Sequence, residues 1–214
     1  METIFITGIG TGVGKTIVSA IVAQALEADY WKPVQAGFDD GTDTQSVKRL
    51  IANDSSNIHP EVYSLRLAAS PHIAARAENT IIDLNEIVAA HEKISAESAN
   101  TTLVTEGAGG LMVPLNDDQF VADLVKRLQA KVILVSRNYL GSINHSLLTA
   151  AFCQQHRIDV LGWIFNDQYM DYEEEIVKWS GYKRLGSVPF TKVADKNFIA
   201  DEAKKMRPSL LAAL

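Results

Sequence analysis

A glycine-rich stretch near the amino terminus has the composition of a phosphate-binding loop. Residues 8–16 read Gly-Ile-Gly-Thr-Gly-Val-Gly-Lys-Thr and directly follow a short apolar run. Glycines let backbone N–H groups surround phosphate oxygens, and a helix that begins at the end of the loop adds its positive end. Lys15 can reach the β- and γ-phosphates of a nucleotide, and the Thr16 hydroxyl can bind Mg²⁺. The sequence therefore predicts a P-loop, in which five residues rather than the usual four separate Gly8 from Gly14.

Charged residues that could complement such a loop follow two further apolar runs. Lys32 lies in the run 30–34, and its position alone leaves open whether it is a functional cation or a lysine at a strand edge. Glu106 directly follows the run 101–105, and its carboxylate would be costly to bury without a cation. Three acidic residues lie in the polar loop after Lys32: Asp39, Asp40 and Asp43. A carboxylate near a P-loop often binds Mg²⁺ or its water, but the spacing does not choose among these three.

A further loop, at 139–145, precedes a predicted helix. Its backbone N–H groups could bind a carboxylate, although Asn144 could equally be only a helix cap. His72 and His145 have no partner at the spacing of metal ligands, so a structural role is favoured for both. Cys153 lies on the apolar face of the same helix and is predicted to be a core residue.

These loops need elements that bring them together. Short apolar runs typical of strands occur at 3–7, 30–34, 101–105, 132–135, 159–165 and 185–188. Apolar residues at helical spacing occur within 17–26, 84–91, 121–128 and 147–152. This alternation predicts an α/β fold with a mostly parallel sheet flanked by helices on both faces. No repeat or linker interrupts it, so we expect one domain over 1–214, with ligands at the carboxyl ends of the strands.

The composition excludes several classes of protein. With 214 residues, a net charge of −6 and 47% apolar residues, the chain is too apolar to be disordered and long enough to bury a core. It has no apolar window of the ~18 residues that a membrane span needs, and its start, METIFITG, lacks the basic segment of a secretory signal. An acidic chain is also a poor match to nucleic acid. The single cysteine cannot form an internal disulfide, so we expect a cytoplasmic protein. From the net charge and the missing apolar window, we expect it to bind neither nucleic acid nor membrane.

Seven motifs, in order along the chain, resemble those of the dethiobiotin synthetase family. They are Gly-x-x-Thr-x-Val-Gly-Lys-Thr at 8–16, Lys-Pro-Val-x-x-Gly at 32–37, Ser-Pro-His at 70–72, Glu-Gly-Ala-Gly-Gly at 106–110, Gly-x-Ile-Asn-His at 141–145, Gly-Trp-x-x-Asn-Asp at 162–167 and Val-Pro at 188–189. The longer P-loop is itself a feature of that family. The resemblance implies a single-domain P-loop NTPase-like fold and a cyclo-ligase of biotin biosynthesis that forms C–N bonds. Such an enzyme uses MgATP to join CO2 to 7,8-diaminononanoate, through a carbamate and a carbamic-phosphoric anhydride, and releases dethiobiotin, ADP and phosphate.

The resemblance also implies roles for individual residues. Lys15 and Lys32 would be the catalytic cations, and Thr16, Asp43 and Glu106 would place Mg²⁺. The residues implied in ATP binding are Gly12, Val13, Gly14, Lys15, Thr16, Ile17, Asp43, Glu106, Gly107, Ala108, Gly109, Asn166, Asp167, Val188, Pro189 and Phe190. Those implied in substrate binding are Thr11, Lys32, Gly141, Ser142, Ile143 and Asn144. In this family residues equivalent to 141–144 bind the substrate's carboxylate across a homodimer interface.

The chain departs from the family pattern at two places, and two other functions stay open. Ile9-Gly10 stands where the family usually has Thr-Asp, and Ala36 stands where it often has a hydroxyl, for which Gln35 is a hypothetical replacement. A partition-type regulatory ATPase shares this P-loop class, but its signature lysine would stand at Gly10, and the net charge disfavours the DNA or membrane surface it needs. A non-catalytic nucleotide-binding module is the other alternative, and Lys32 argues against it.

Overall fold

The computed structural model describes residues 1–39, 41–167 and 170–214. Within these ranges nine strands and eight helices follow one another along the chain. The strands are β1 (Glu2–Gly8), β2 (Asp29–Trp31), β3 (Val34–Ala36), β4 (Ile58–His59), β5 (Tyr63–Leu65), β6 (Thr102–Glu106), β7 (Lys131–Arg137), β8 (Val160–Asn166) and β9 (Arg184–Val188). The helices are α1 (Lys15–Leu26), α2 (Asp43–Leu50), α3 (Pro71–Ala77), α4 (Leu84–Glu97), α5 (Val121–Arg127), α6 (Ser142–Gln155), α7 (Glu173–Ser180) and α8 (Lys196–Leu211).

Seven of the strands form one parallel sheet in the order β4-β2-β6-β1-β7-β8-β9. The register places Glu106 opposite Ile6 of β1, and Val188 opposite Asn166 of β8. The carboxyl ends of the strands therefore meet at one edge, where the loops that follow them are neighbours. β3 and β5 form a separate parallel pair.

Helices cover both faces of the seven-stranded sheet, because successive strand residues point to opposite sides. On one face, Ile4 and Ile6 pack with Ile21 of α1 and Ile199 of α8. On the other, Phe5 belongs to a cluster that contains residues of α4, α5, α6 and α7. This architecture confirms the predicted α/β fold with a mostly parallel sheet. None of the helices in the described part of the chain combines the length and the apolar character that a membrane span requires.

Two predicted elements differ from the structure. The apolar run 30–34 predicts one strand, but β2 ends at Trp31 and Val34 begins β3 in the second sheet. Pro33 explains the break, because proline has no N–H for the ladder and restricts the backbone of the preceding residue. In α6 the expected apolar residues do not form the buried face: Leu148 is 62% exposed, while small side chains such as Ser146 and the predicted core residue Cys153 face inward.

Candidate functional site

The P-loop joins β1 to α1 and is held by Asn166, the last residue of β8. The Asn166 Nδ2 atom donates to the Val13 carbonyl oxygen at 3.0 Å. Gly14, which immediately precedes α1, has φ 91°, and a Cβ atom there would lie 1.8 Å from Asn166 Nδ2. Only glycine combines this backbone conformation with so close an approach. The shape of the loop therefore depends on contacts with the end of a distant strand.

The loop after β6 packs against the beginning of the P-loop. The Gly8 N–H donates to the Gly109 carbonyl at 3.3 Å, and the Gly107 N–H donates to the Ile6 carbonyl at 2.9 Å. A Cβ atom on Gly107 would lie 2.6 Å from Phe5 Cε1. Gly107 is therefore a close-packing position, and its role in nucleotide binding stays a prediction.

Four side chains converge beside the P-loop: three come from α1, α2 and β6, and Lys32 comes from the segment between β2 and β3. Lys32 Nζ lies 2.9 Å from Asp43 Oδ2 and 3.2 Å from Glu106 Oε1. Thr16 Oγ1 lies 2.7 Å from Asp43 Oδ1 and 3.1 Å from the same Glu106 oxygen. We call Thr16, Lys32, Asp43 and Glu106 the carboxylate–lysine cluster. The structure thus brings together the residues that the sequence predicts for metal and phosphate.

Of the acidic residues left open by the sequence, Asp43 is the one that the described part of the chain brings to the cluster. It is the first residue of α2, where Thr42 caps the helix by accepting the Gln45 N–H. Asp39 is exposed, and Asp40 lies outside the described residues. Because a carboxylate is favourable in the first turn of a helix, α2 both positions Asp43 and supports its charge.

The cluster is strongly coupled electrostatically. Burial disfavours charged Lys32, but the carboxylates of Glu106 and Asp43 outweigh burial and raise the pKa of this lysine. Burial by itself would raise the pKa of Asp43, but Lys32 and the Thr16 hydroxyl outweigh burial and hold this pKa below its ordinary value. The Lys32 ammonium and the Asp43 carboxylate are thus both charged at neutral pH.

Lys15 lies in the same cavity, a space of about 760 Å³. Its Nζ donates to the Gly10 carbonyl at 3.0 Å. Burial lowers the pKa of Lys15 to about 8, although the Glu106 carboxylate acts in the opposite direction. The predicted site residues that line this cavity are Thr11, Gly12, Gly14, Lys15, Thr16, Ile17, Lys32, Asp43, Glu106, Ala108 and Gly109. Such a cavity, with two ammonium groups near a P-loop, suits an anionic ligand.

Gln35 and Ala36 also line the cavity. The Gln35 Oε1 atom accepts the Asp43 N–H at 3.2 Å, and its Nε2 donates to the Gly37 carbonyl at 2.7 Å. Gln35 therefore ties the start of α2 to the loop after β3. Its hypothetical contact with substrate in place of a hydroxyl at position 36 stays a prediction.

A second cavity, of about 710 Å³, lies on the other side of the P-loop. Residues from the ends of β7, β8 and β9 line it together with the loop: Thr11, Gly12, Val13, Arg137, Asn138, Tyr139, Leu140, Asp167, Pro189 and Phe190. Val188 is buried, and its carbonyl accepts the Asp167 N–H at 3.0 Å. Asp167 also pairs with Arg137, at 3.3 Å between Oδ2 and Nη2. The cavity has the position expected for the base of a nucleotide whose phosphates lie in the P-loop.

Residues 141–144 form the beginning of α6 and line neither of these two cavities. Gly141 is the capping residue, so the alternative role of Asn144 as the cap is wrong. The Ser142 N–H donates to the Tyr139 carbonyl at 2.9 Å. The Ile143 and Asn144 N–H groups lie in the first helical turn, where the helix itself provides no acceptor. Within one chain the structure does not bring this segment to Lys32.

Tyr30 is a site residue that the sequence analysis missed. The sequence pattern predicts only that Tyr30 lies in a strand, but its side chain is fully buried and its hydroxyl donates to Glu106 Oε2 at 2.9 Å. Burial, reinforced by the Glu106 charge, raises the pKa of Tyr30 well above its ordinary value. The available signal was a tyrosine in a buried run, since a buried phenol needs a hydrogen-bond partner.

The possible metal ligands are oxygen atoms of Thr16, Asp43 and Glu106. No group of three or more His, Cys, Asp or Glu residues in the described ranges is arranged to hold a metal ion. One hydroxyl and two carboxylates would leave positions for phosphate oxygens and water, which is the usual pattern of Mg²⁺ in nucleotide sites. The donor set therefore fits Mg²⁺ brought in with a nucleotide.

Comparisons with known proteins agree with this geometry. The chain matches the family described as AAA domain over residues 2–197. It is 46% identical to the ATP-dependent dethiobiotin synthetase BioD of Cytophaga hutchinsonii, over 96% of this chain and 97% of the relative. It is 42% identical to the protein of the same name from Christiangramia forsetii, over 98% of each chain.

Solved structures share the fold at much lower identity. The cell division ATPase MinD of Pyrococcus furiosus superposes with a TM-score of 0.65 at 12% identity, over 100% of both chains. The MinC:MinD complex of Aquifex aeolicus gives a TM-score of 0.63 at 14% identity, over 99% of this chain and 95% of that one. These likenesses confirm a P-loop ATPase fold and carry no information about substrate.

Proposed function

The chain belongs to the ATP-dependent dethiobiotin synthetase family, and on that premise we propose that its reaction takes place at the carboxylate–lysine cluster beside the P-loop. The activity is ATP-dependent dethiobiotin synthesis in biotin biosynthesis, which makes the protein a ligase. The observation that supports this location is the position of the Lys32 side chain. Its ammonium lies between two carboxylates, beside Thr16, and lines the same cavity as Lys15.

We assign the phosphates of ATP to the P-loop. Backbone N–H groups of residues 12–17 surround them, and Lys15 exchanges its contact with the Gly10 carbonyl for the β- and γ-phosphates. Because burial disfavours the charge of Lys15 before a ligand binds, an incoming polyphosphate stabilises the protonated form. The base is assigned to the second cavity, which Asp167, Pro189 and Phe190 line, with Asn166 and Val188 at the ends of the adjacent strands β8 and β9.

Thr16, Asp43 and Glu106 are the proposed ligands of Mg²⁺. A bound Mg²⁺ would neutralise the charge on the β- and γ-phosphates. Lys32 contacts the same two carboxylates. We therefore expect Lys32 to give up at least one of these contacts when the nucleotide enters, which frees its ammonium for the reacting anions.

The proposed chemistry has three steps, and each of them forms or consumes an anion. One amine of 7,8-diaminononanoate attacks CO2, forms a C–N bond and loses a proton, which leaves a carbamate anion. A carbamate oxygen attacks the γ-phosphorus as the bond to ADP breaks. The second amine then attacks the carbamate carbon and loses a proton, and phosphate leaves as the ring closes. Lys15 and Lys32 neutralise charge that develops during transfer, and holding both amines at the activated carbon supplies a high effective concentration.

The carboxylate of the diamine is assigned to residues 141–144 of a second copy of the chain. These residues lie at the amino-terminal end of α6, which favours a carboxylate, and they line neither cavity of their own chain. Two exposed apolar side chains on and beside α6, Leu140 and Leu148, are consistent with a covered surface. We therefore propose a homodimer in which each active site is completed by the partner.

The regulatory ATPase alternative depended on the P-loop class alone. Its structural counterparts share 12–16% identity with this chain, which shows the fold only. No basic residue stands at 9, 10 or 11, where the signature lysine is expected. We also propose that residues 1–214 form one domain, since both cores pack on one sheet. A cytoplasmic location fits the free, buried thiol of Cys153.

The test is a direct assay of product. The protein is incubated with MgATP, bicarbonate as the source of CO2, and 7,8-diaminononanoate, and dethiobiotin is measured by mass spectrometry together with released phosphate. We expect equal amounts of dethiobiotin and phosphate, and neither when the diamine is omitted. ATP hydrolysis that responds to DNA or lipid vesicles and never to the diamine would contradict the proposal.

A further inference from the structure

Tyr30 occupies a position from which it can reach only the back of the site. It lies in β2, where the register pairs it with Val104 of β6. Glu106 lies two residues further along β6, so its side chain is on the same face of the sheet as Val104 and is a diagonal neighbour of Tyr30. Tyr30 has no exposed surface, so it does not touch a ligand in either cavity.

The two oxygens of the Glu106 carboxylate have separate partners. Oε2 accepts the Tyr30 hydroxyl at 2.9 Å. Oε1 accepts from Lys32 Nζ at 3.2 Å and lies 3.1 Å from Thr16 Oγ1. Glu106 is only 1% exposed, so water does not replace a lost partner. One hydrogen bond from Tyr30 therefore fixes which carboxylate oxygen faces the P-loop.

We propose that Tyr30 is a positioning residue for the ATP-dependent reaction, which holds Oε2 of Glu106 so that Oε1 stays directed at Thr16 and Lys32. The inference rests on the proposed role of Glu106 as a ligand of Mg²⁺. A phenol suits this task because it donates one hydrogen bond in a fixed direction, and its rigid ring is packed within the apolar cluster that includes Val104 and Ile21.

A purely structural role for Tyr30 makes a different prediction. If its hydroxyl only satisfies a buried carboxylate, removing it lowers the unfolding temperature and leaves the use of Mg²⁺ unchanged. If it positions Glu106, removing it weakens the coupling between Mg²⁺ and nucleotide in the folded protein. The two roles are therefore separated by a binding measurement.

The experiment compares Tyr30→Phe with wild type by calorimetric titration of ADP, with and without Mg²⁺. The ratio of the two affinities is the coupling. We expect Tyr30→Phe to bind ADP without Mg²⁺ as wild type does, and to lose about 10–100-fold of the coupling, which is typical of residues that orient a metal ligand. Tyr63→Phe is the matched control, because the Tyr63 hydroxyl also donates to a carboxylate, that of Glu86, far from the cluster.

Glu106→Gln and the double variant Tyr30→Phe/Glu106→Gln complete the cycle. We expect the coupling to fall in Glu106→Gln and no further fall when Tyr30→Phe is added, since both act through one carboxylate. Loss of coupling in Glu106→Gln with wild-type coupling in Tyr30→Phe would overturn the Tyr30 inference and leave the metal site intact. Wild-type coupling in Glu106→Gln would overturn the proposed metal role of Glu106 itself.

Discussion

Removing Lys32 is the change that most directly tests the electrostatics of the site. The Lys32 ammonium neutralises two carboxylates, of which Glu106 is 1% exposed and Asp43 33% exposed. Deleting one partner of a buried ion pair costs about 3–5 kcal/mol, because the remaining charge stays buried without compensation. Since Asp43 is partly solvated, we expect a loss for Lys32→Ala near the low end of this range, about 3 kcal/mol. For a chain of this size that loss lowers the unfolding temperature by about 6–12 °C.

The assay is thermal unfolding of the nucleotide-free protein, combined with ATP binding and dethiobiotin formation. We expect Lys32→Ala to form no product while it still binds ATP, because the P-loop is intact. Added Mg²⁺ should stabilise the variant more than wild type, since Lys32 no longer contacts the Asp43 and Glu106 oxygens. Lys131→Ala is the control: Lys131 pairs with Glu2 at the surface, and such pairs contribute about 0–1 kcal/mol.

The pH dependence of Lys32→Ala gives a second, independent check. In wild type the pKa of Lys32 is raised. The Lys32 ammonium therefore contributes fully to the stability of the fold at neutral pH, and this contribution is lost only as the pH rises above about 10.5. The variant lacks the cation that holds the pKa of Asp43 low. The stability deficit of the variant relative to wild type should therefore shrink as the pH falls and the Asp43 carboxylate takes up a proton. An unfolding temperature equal to that of wild type from pH 5 to 8 would refute this reasoning.

Three further predictions follow from charge and exposure. Asp43→Asn should raise the Mg²⁺ concentration needed for half-maximal dethiobiotin formation far more than Asp39→Asn, measured at saturating ATP; equal effects would contradict the choice of Asp43. Burial disfavours the charge of Asp29, but hydrogen bonds from His and Ser side chains outweigh it and lower its pKa, so the stability it contributes is present above about pH 4 and lost below. Asp29→Asn should flatten the acid limb of the unfolding temperature against pH, and an unchanged limb would exclude this cause. Leu148→Asp should convert a dimer to a monomer in light scattering, whereas Leu211→Asp, at an exposed position on α8, should not; a monomeric wild type would overturn the dimer.

The fold was predictable wherever a local pattern carried the whole signal. Residues 132–135 are four consecutive apolar residues, and the structure buries them on both faces of β7, near the centre of the sheet. The short strands β3, β4 and β5 have two or three residues each, too few for a periodic pattern. They exist because other segments pair with them. The apolar spacing in α6 predicts a buried face that includes Leu148, but this side chain is exposed. Periodicity shows that a helix face is apolar, and it does not show which segment covers that face.

By itself, the sequence determined which residues can do chemistry. Glycines with Gly-Lys-Thr at a strand–helix junction indicate a phosphate loop, because glycines let backbone N–H groups surround phosphate oxygens. A glutamate after a buried strand indicates a nearby cation, because a buried carboxylate is costly without one. Only the tertiary structure decided the partners. Parallel strands place their carboxyl ends at one edge, so each of residues 16, 32, 43 and 106 has a polar atom within 3.2 Å of two of the others, although up to 90 positions separate them. The same packing selected Asp43 over Asp39 and gave Tyr30 its contact with Glu106, because which side chains touch depends on strand order and register rather than on sequence distance.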